Sequence, residues 1–499
     1  MSCRNCGFVP EPQLQHTNSS DSLVSQILRG SRPLLDSDHA LLNAEIVELE
    51  QEQAMYAAQL EVIQLCQRAI LKALENRKSI YAPIRRLPRD ILIEIFDSVC
   101  DSWWQEADEN PSLRRHSLDT SGPLWVWGRV CGLWRDTLHS SPASWARKLV
   151  VQAPFSKYAP EILQTYLEHT GEHLLRLYVN CTEPTQGHII MSLLVQSCQR
   201  WKNLRINADK SYMPYFESIS HFPALQTIDI HFYNTRGYTY RSDMCLGAPQ
   251  LWRASLGGHG IHQVKLPPGI THLSGCLDCP EDLHLLSQLR NLRRCHLWRL
   301  PIAAIEAPVV TVTQLTHLYV NRVDVLDVLS APLLSSLTIS RIVARPQSQE
   351  SITRFLHRSR CHLESLSIGD VVVTLGTPTI MSALEACSTV FRFKLELRPG
   401  MLGVVEALTS PSVLPNLHHL ILCLSQDPKD ELTAVLGMVR SRRDAGLLKL
   451  VEVQFGVDAD WQARNRAVDI RALSRGDFEM RVEEWDPPSQ DHLYLWHLS

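Results

Sequence analysis

Between Asp38 and Arg77 the chain holds neither Pro nor Gly, and its seam residues step by four and three alternately: Leu42, Ile46, Leu49, Gln53, Tyr56, Leu60, Ile63, Gln67, Ile70 and Leu74. Eight of these ten positions are apolar, and the residues between them are mostly Ala, Leu, Glu and Gln, which are good helix formers. The spacing predicts one long heptad helix over 36–80, opened by Asp36, Ser37 or Asp38 as N-cap and ended by Pro83. Its stripe has to be buried on something. One reading is a dimerising or partner-binding coiled coil, in which Gln53 and Gln67 set the register at a cost in stability. The preferred reading is a helix packed back on its own chain. Residues 1–35, rich in Ser, Pro, Gln and Asn without a sustained period, are expected to be a disordered tail.

After Pro83 the pattern changes to short helices. Pro88 suits a first helical position, because its missing N–H is not needed there, and Asp90 falls in the first turn, where the helix dipole favours a negative charge. Ile91, Leu92, Ile95, Phe96 and Val99 then form one wide apolar face, with Leu87 just ahead of it. A second helical stripe is expected from Val130, Cys131, Trp134 and Leu138. Ser141 and Pro142 open a third short helix that carries Trp145. Residues from about Trp103 to Leu124 read as an insertion between the first two helices. A domain this small, over 83–148, has too little core to stand well alone and should lean on a partner or on the next domain.

From Leu174 the pattern is apolar-x-x-apolar-x-apolar. It recurs from Leu174, Trp201, Leu225, Leu251, Ile270, Leu292, Leu315, Leu334, Leu363, Val390, Leu417 and Leu448, at intervals of 19 to 31 residues. The match at Ile270 is weak, since Gly275 stands at its third apolar position. Helix-compatible stretches such as 189–199 and 431–440 lie between. A strand and a return segment every 20–29 residues or so is the unit of a leucine-rich-repeat solenoid. It is expected over 149–480, with a C-terminal tail at 481–499. The Asn that usually follows each such strand is missing, so an irregular arc is expected. By the period-two rule the residue between the last two apolar positions faces away from the leucine side. Tyr178, Arg205, Asp229, His296, Tyr319, Lys394 and Glu452 are therefore the candidate substrate-binding residues.

The order Leu87-Pro88, an Ile/Leu/Phe helix, Val130-Cys131-x-x-Trp134-Arg135 and Ser141-Pro142-x-x-Trp145 resembles the F-box-like domain. It is most similar to the form common in fungal F-box proteins (basidiomycete-like), where a long heptad helix and a Pro-Ile-Arg-Arg-Leu-Pro lead-in also precede it. Ala143-Ser144 departs from the family, which usually has a bulky residue and a Leu before the Trp. The resemblance covers about Asp38 to Lys148. It implies docking to a Skp-type adaptor, and through it to a cullin, by Leu87, Pro88, Ile91, Leu92, Ile95, Phe96, Val130, Trp134 and Trp145; some of these must form the domain's own core. The expected fold class is thus an α/β repeat protein: a long N-terminal helix, a small F-box-like helical domain, then an irregular leucine-rich-repeat solenoid. The implied function is substrate receptor of a Skp-cullin-F-box ubiquitin ligase, with an unknown protein substrate on the repeats. The alternative is a non-catalytic repeat scaffold without ubiquitin transfer.

Composition narrows this further. The chain has 499 residues, 44% apolar and 20% charged, with a formal net charge of −4 and no long block of one sign. That argues against a nucleic-acid role resting on a basic surface. No apolar run reaches the ~18 residues of a membrane span, and the N-terminus lacks a signal-peptide core, so cytoplasm or nucleus is expected. The 14 cysteines are spread thinly and read as buried small hydrophobes in a reducing compartment. Cys3-x-x-Cys6 and Cys276-x-x-Cys279 have metal-ligand spacing but lie far apart, and are read as unconnected. No metal or cofactor is expected. Phosphate-cradling glycine motifs, HExxH and GxSxG are absent, and the histidines scatter. An enzyme needs a convergent constellation, so none is expected here.

Overall fold

The computed structural model describes residues 20–109, 113, 115–183, 187–233, 242–277, 279–298, 308–342, 350–371, 380–381, 383–398, 400–424, 429–446, 448–456 and 478–485. It divides into two compact units, Met1–Arg89 and Asp90–Ser499. Among the described residues no helix is long and apolar enough to cross a membrane.

The first unit holds α1 (Ser20–Leu28) and α2 (Asp36–Ile80). The expected disordered tail is therefore corrected over 20–28, which is helical; residues 1–19 lie outside the described residues. The expected long helix is present, but its cap differs. Leu35 is the N-cap, and Asp38 reaches back to accept the Leu35 N–H at 3.1 Å. Arg32 pairs with the same carboxylate at 2.9 Å. Asp36 and Asp38 in the first turn and Arg77 and Lys78 in the last suit the helix dipole. The seam residues Ile46, Leu49, Tyr56, Leu60, Ile63, Ile70 and Leu74 are all exposed. Within its own unit nothing covers them among the described residues, so packing back on the chain is not found there. A 3-10 turn, Pro83–Arg86, follows.

Next come α3 (Arg89–Glu109), α4 (Pro123–Val130), α5 (Gly132–His139) and α6 (Pro142–Ala146). Pro88 sits one residue before the first helical position rather than on it. The expected second stripe is broken in two. Cys131 is fully extended between α4 and α5, and Gly128 and Gly132 on either side weaken any continuous helix. The supposed insertion is integral. α3 runs through Trp103 to Glu109, and the chain then returns along the sheet, where the Ser117 N–H donates to the Val150 carbonyl at 2.8 Å. The Val150 N–H donates back to Ser117 Oγ at 2.9 Å. This partly covers the first strand, whose outer edge would otherwise present unpaired backbone.

The remaining chain forms strands β1 (Leu149–Gln152), β2 (Leu175–Cys181), β3 (Trp201–Asp209), β4 (Thr227–Tyr233), β5 (Arg253–Gly260), β6 (His272–Cys276), β7 (Arg294–Trp298), β8 (Val310–Thr311), β9 (His317–Val320), β10 (Leu329–Ser330), β11 (Ser336–Ile342), β12 (Ser365–Val371), β13 (Arg392–Leu397), β14 (His419–Leu424), β15 (Leu450–Gly456) and β16 (Glu479–Trp485). Apart from the β8–β10 pair, they make one 14-stranded sheet in chain order, parallel throughout. One row of partners runs Leu177, Leu204, Ile228, Ala254, Leu273, Cys295, Leu318, Leu337, Leu366, Phe393, Leu420 and Val451. These are the second apolar positions of the twelve sequence repeats. Each repeat contributes one strand, and β1 and β16 extend the series at its ends. Residues 481–485, expected in the C-terminal tail, therefore belong to the sheet; 486–499 lie outside the described residues.

The leucine row is buried under the return helices α7 (Ala159–His169), α8 (His188–Gln196), α9 (Met213–Glu217), α10 (Pro280–Gln288), α11 (Ser351–Ser359), α12 (Leu402–Thr409) and α13 (Lys429–Asp444). These supply buried residues such as Leu163, Met191, Phe216, Leu286, Phe355, Val404 and Val439. In the first repeat the buried residue is Leu175, which pairs with Trp201, whereas the expected Leu174 is exposed. At the weak repeat Gly275 lies between Leu256 and Leu297 in the ladder. A Cβ there would meet Ile261 Cγ2 at 2.1 Å; Ile261 fills the space that a third apolar side chain occupies elsewhere. The missing Asn ladder has partial substitutes. Arg200, Arg358 and Arg442 each reach back about one repeat to backbone carbonyls: Arg200 to Gly171, Arg358 to Leu329 at 2.6 Å, and Arg442 to Leu414 at 3.1 Å and Ser410 at 2.7 Å. At Arg358 and Arg442 these bonds satisfy carbonyls that burial would otherwise penalise.

Candidate docking surfaces

The helical segment separates its apolar residues by one step along α3. Leu92, Phe96 and Cys100 form a buried stripe, the first two 0% and 1% exposed, whereas Ile91, Ile95 and Val99 are 38%, 38% and 46% exposed. A one-residue advance turns about 100° around a helix, so the two stripes run along the first half of α3 on different faces. Phe96 stacks on Trp127 at 4.6 Å and meets Trp134 edge-on at 5.1 Å, which clamps α3 to α4 and α5. Trp145 is buried, donates its indole N–H to the Leu138 carbonyl at 3.2 Å and packs edge-on against Tyr166 of α7 at 5.1 Å. Arg147 ties the end of α6 to Asp97 at 2.9 Å and Asp101 at 2.7 Å.

Of the expected docking residues, Leu92, Phe96 and Trp145 are thus core and have no surface to offer. Trp134 is half-buried. Ile91 and Ile95 are exposed, as is Val130 at 54%. Pro88 is exposed and Leu87 half-buried in the first unit. Val99 and Val126 are exposed as well and were not among the expected docking residues; for Val99 the i, i+4, i+8 spacing from Ile91 was the available signal. A cavity of about 310 Å³, lined among others by Trp103, Trp104, Trp125, Tyr166 and Tyr178, lies where this segment meets the sheet. Lys148 Nζ sits over the Trp104 ring at 5.0 Å and near that of Tyr178 at 5.4 Å.

On the sheet, the expected substrate-binding residues do form one row across the strands. Tyr178 pairs in register with Arg205 and Arg205 with Asp229, His296 with Tyr319, and Lys394 and Glu452 each with Ile421. The row is most open near its N-terminal end, where Arg205 is exposed, whereas Ile421 near the other end is buried. Arg205 pairs with Asp229 at 3.3 Å, Lys394 bonds Gln454 at 3.3 Å and Glu452 meets His419 at 3.0 Å. In the middle, Ser255, Ser274, His296 and Tyr319 are buried, which corrects the expectation that His296 and Tyr319 face a partner. The His296 ring packs edge-on to Tyr319 at 4.1 Å and Trp298 at 4.9 Å, and bonds Ser274 at 3.2 Å. Burial pushes His296 down to about 3.

Beside this closed centre runs a row of two arginines and two histidines, Arg253, His272, Arg294 and His317, aligned strand by strand. Burial, then the charges of Arg294 and Arg253, push His272 down to about 4. The signal for this row lay in the sequence, one residue before the second apolar position of four consecutive repeats. Burial and Arg294 lower His317 as well, so Arg253 and Arg294 carry the row's charge, and these two can attract an anionic segment. No family model matches the chain, and no curated protein matches it.

Proposed function

We propose that this chain is the substrate receptor of a Skp-cullin-F-box ubiquitin ligase. In this reading the F-box-like segment docks a Skp-type adaptor, and the leucine-rich-repeat sheet presents a protein substrate. The observation that carries it is the exposed stripe Ile91, Ile95 and Val99, left open after Leu92, Phe96 and Trp145 have built the core. A small helical segment anchored on one side to a solenoid, with apolar side chains bare on another, suits an anchor-in-pocket interface. The guanidinium groups of Arg253 and Arg294, with His272 and His317 as neutral hydrogen-bonding neighbours, favour a substrate segment carrying negative charge. Such a receptor contributes proximity, raising the effective concentration of substrate near a loaded ubiquitin-carrying enzyme, and needs no reactive side chain of its own.

The test is co-purification of the full chain with a Skp-type adaptor. Ile91→Asp combined with Ile95→Asp changes exposed positions and is expected to cut adaptor capture about tenfold or more, since burial of such side chains contributes about 1.5–3 kcal/mol each. Leu87→Ala with Pro88→Ala is expected to act the same way, and Arg294→Glu to leave capture intact. Full capture by the Ile91/Ile95 variant would remove the docking face from this account. Absence of capture by the unaltered chain would leave the scaffold reading.

A further inference from the structure

One cluster of ligating side chains stands apart from these surfaces. After β5 the chain makes a 3-10 turn, Ile261–Gln263, and after β6 it enters α10. The two loops bring together His262, Cys279 and Asp282. His262 Nδ1 lies 2.8 Å from Asp282 Oδ1 and 3.2 Å from Cys279 Sγ, and Cys279 Sγ lies 3.5 Å from Asp282 Oδ2. Asp282 is fully buried, and His262 and Cys279 are half-buried. The carboxylate also accepts the His262 N–H at 2.8 Å and the Cys279 N–H at 3.1 Å, which fixes it between the loops and caps α10.

We propose that His262 Nδ1, Cys279 Sγ and the Asp282 carboxylate hold one zinc ion, with water or the neighbouring Glu281 in the fourth position. Nitrogen, sulfur and oxygen donors are the set zinc takes. Its bond lengths of about 2.0–2.3 Å place tetrahedral donors roughly 3.3–3.6 Å apart, so the present spacings need to open by no more than about half an ångström. A thiolate, a carboxylate and a neutral imidazole together balance a dication. Binding releases the thiol proton and moves the imidazole proton from Nδ1, where it now faces Asp282, to Nε2, so that Nδ1 is freed for the ion. Of Cys276-x-x-Cys279, expected to be unconnected to any metal site, only Cys279 would then be a ligand, and its partner would be His262 on the preceding repeat's loop. The ion would pin the turn that carries Ile261, the wedge against Gly275, and so brace the repeat whose own apolar pattern is weakest. The competing account is that the three side chains do no more than cap α10.

The full chain, exposed to zinc and dialysed, is expected to retain about one zinc by elemental analysis. Cobalt substituted for it should give a thiolate-to-metal absorption band. Cys279→Ser should abolish that band, while Cys66→Ser, at an exposed thiol on α2, should keep it. Chelation should lower the unfolding midpoint of the unaltered chain and leave that of Cys279→Ser unchanged. No retained metal and no band in the unaltered chain would overturn the proposal, as would a full band in folded Cys279→Ser. Should Cys279→Ser fail to fold, His262→Gln at the half-buried position serves instead, and full stoichiometry in that variant would be equally fatal.

Discussion

His296 lies on the side of the sheet that strand alternation assigns to it, yet its ring is closed in by Tyr319, Trp298 and Ser274. Alternation sets which way a side chain leaves the strand. Whether water reaches it depends on the size of its neighbours in the adjoining strands, and here small serines let aromatic rings lie over the row. An imidazole that charges near pH 6.5 in an unfolded chain and only near 3 in the sheet binds fewer protons when folded. Stability is then full above pH 6.5 and falls as the pH drops toward the folded value, by up to about 1.4 kcal/mol per pH unit for this group. Denaturant midpoints measured from pH 7.5 down to 4.5 should decline, and His296→Gln should flatten part of the slope. Identical slopes would place the acid sensitivity elsewhere. The same dependence on neighbours separates Ile91 from Leu92: both are apolar and adjacent, and only the aromatic clamp around Phe96 decides which face is covered.

Among the elements, β6 shows how a repeat tolerates losing its pattern. Gly275 leaves a gap in the leucine side, and Ile261 fills it from the turn after β5. Gly275→Ala is expected to destabilise the chain by about 1–3 kcal/mol through overpacking. Because the added methyl meets one named atom, Ile261→Ala should cancel part of that cost, and the double variant should lose less than the two singles summed. Strict additivity in chemical denaturation would mean that the contact is not the cause. Helices α4 and α5 show the opposite case: a stripe that spans Val130 to Leu138 in sequence is cut at Cys131, because spacing carries no record of one extended residue between two glycines. On α2 the heptad spacing is matched by a continuous helix, and its seam is left exposed within its unit.

For the whole molecule, the fourteen strands pair only with their chain neighbours, so each repeat is stabilised by the two beside it. Central strands are flanked on both sides. β1 has β2 and the short contact from Ser117, and β16 pairs with β15 alone among the described residues. Hydrogen exchange on the full chain is therefore expected to be slowest in β9 and β11 through β13 and fastest in β16, with β1 between them. Uniform protection across the sheet would show a single cooperative unit instead of a series of neighbouring interfaces.

The repeat spacing alone was enough to mark twelve of the fourteen strands, because a parallel sheet buried on its leucine side demands the same apolar triplet in every turn of the chain; which residues pair across the strands was shown by the sheet. The two end strands, β1 and β16, fall outside the interval that spacing measures and emerged only with the sheet. Periodicity also marked the helix over 36–80 and the apolar character of α3. It could not say which of two adjacent stripes would be used up by the core, that Ser117 would bond to the first strand, or that His262 would meet Cys279 and Asp282. Those outcomes depend on contacts between segments far apart in sequence, and no local period encodes them.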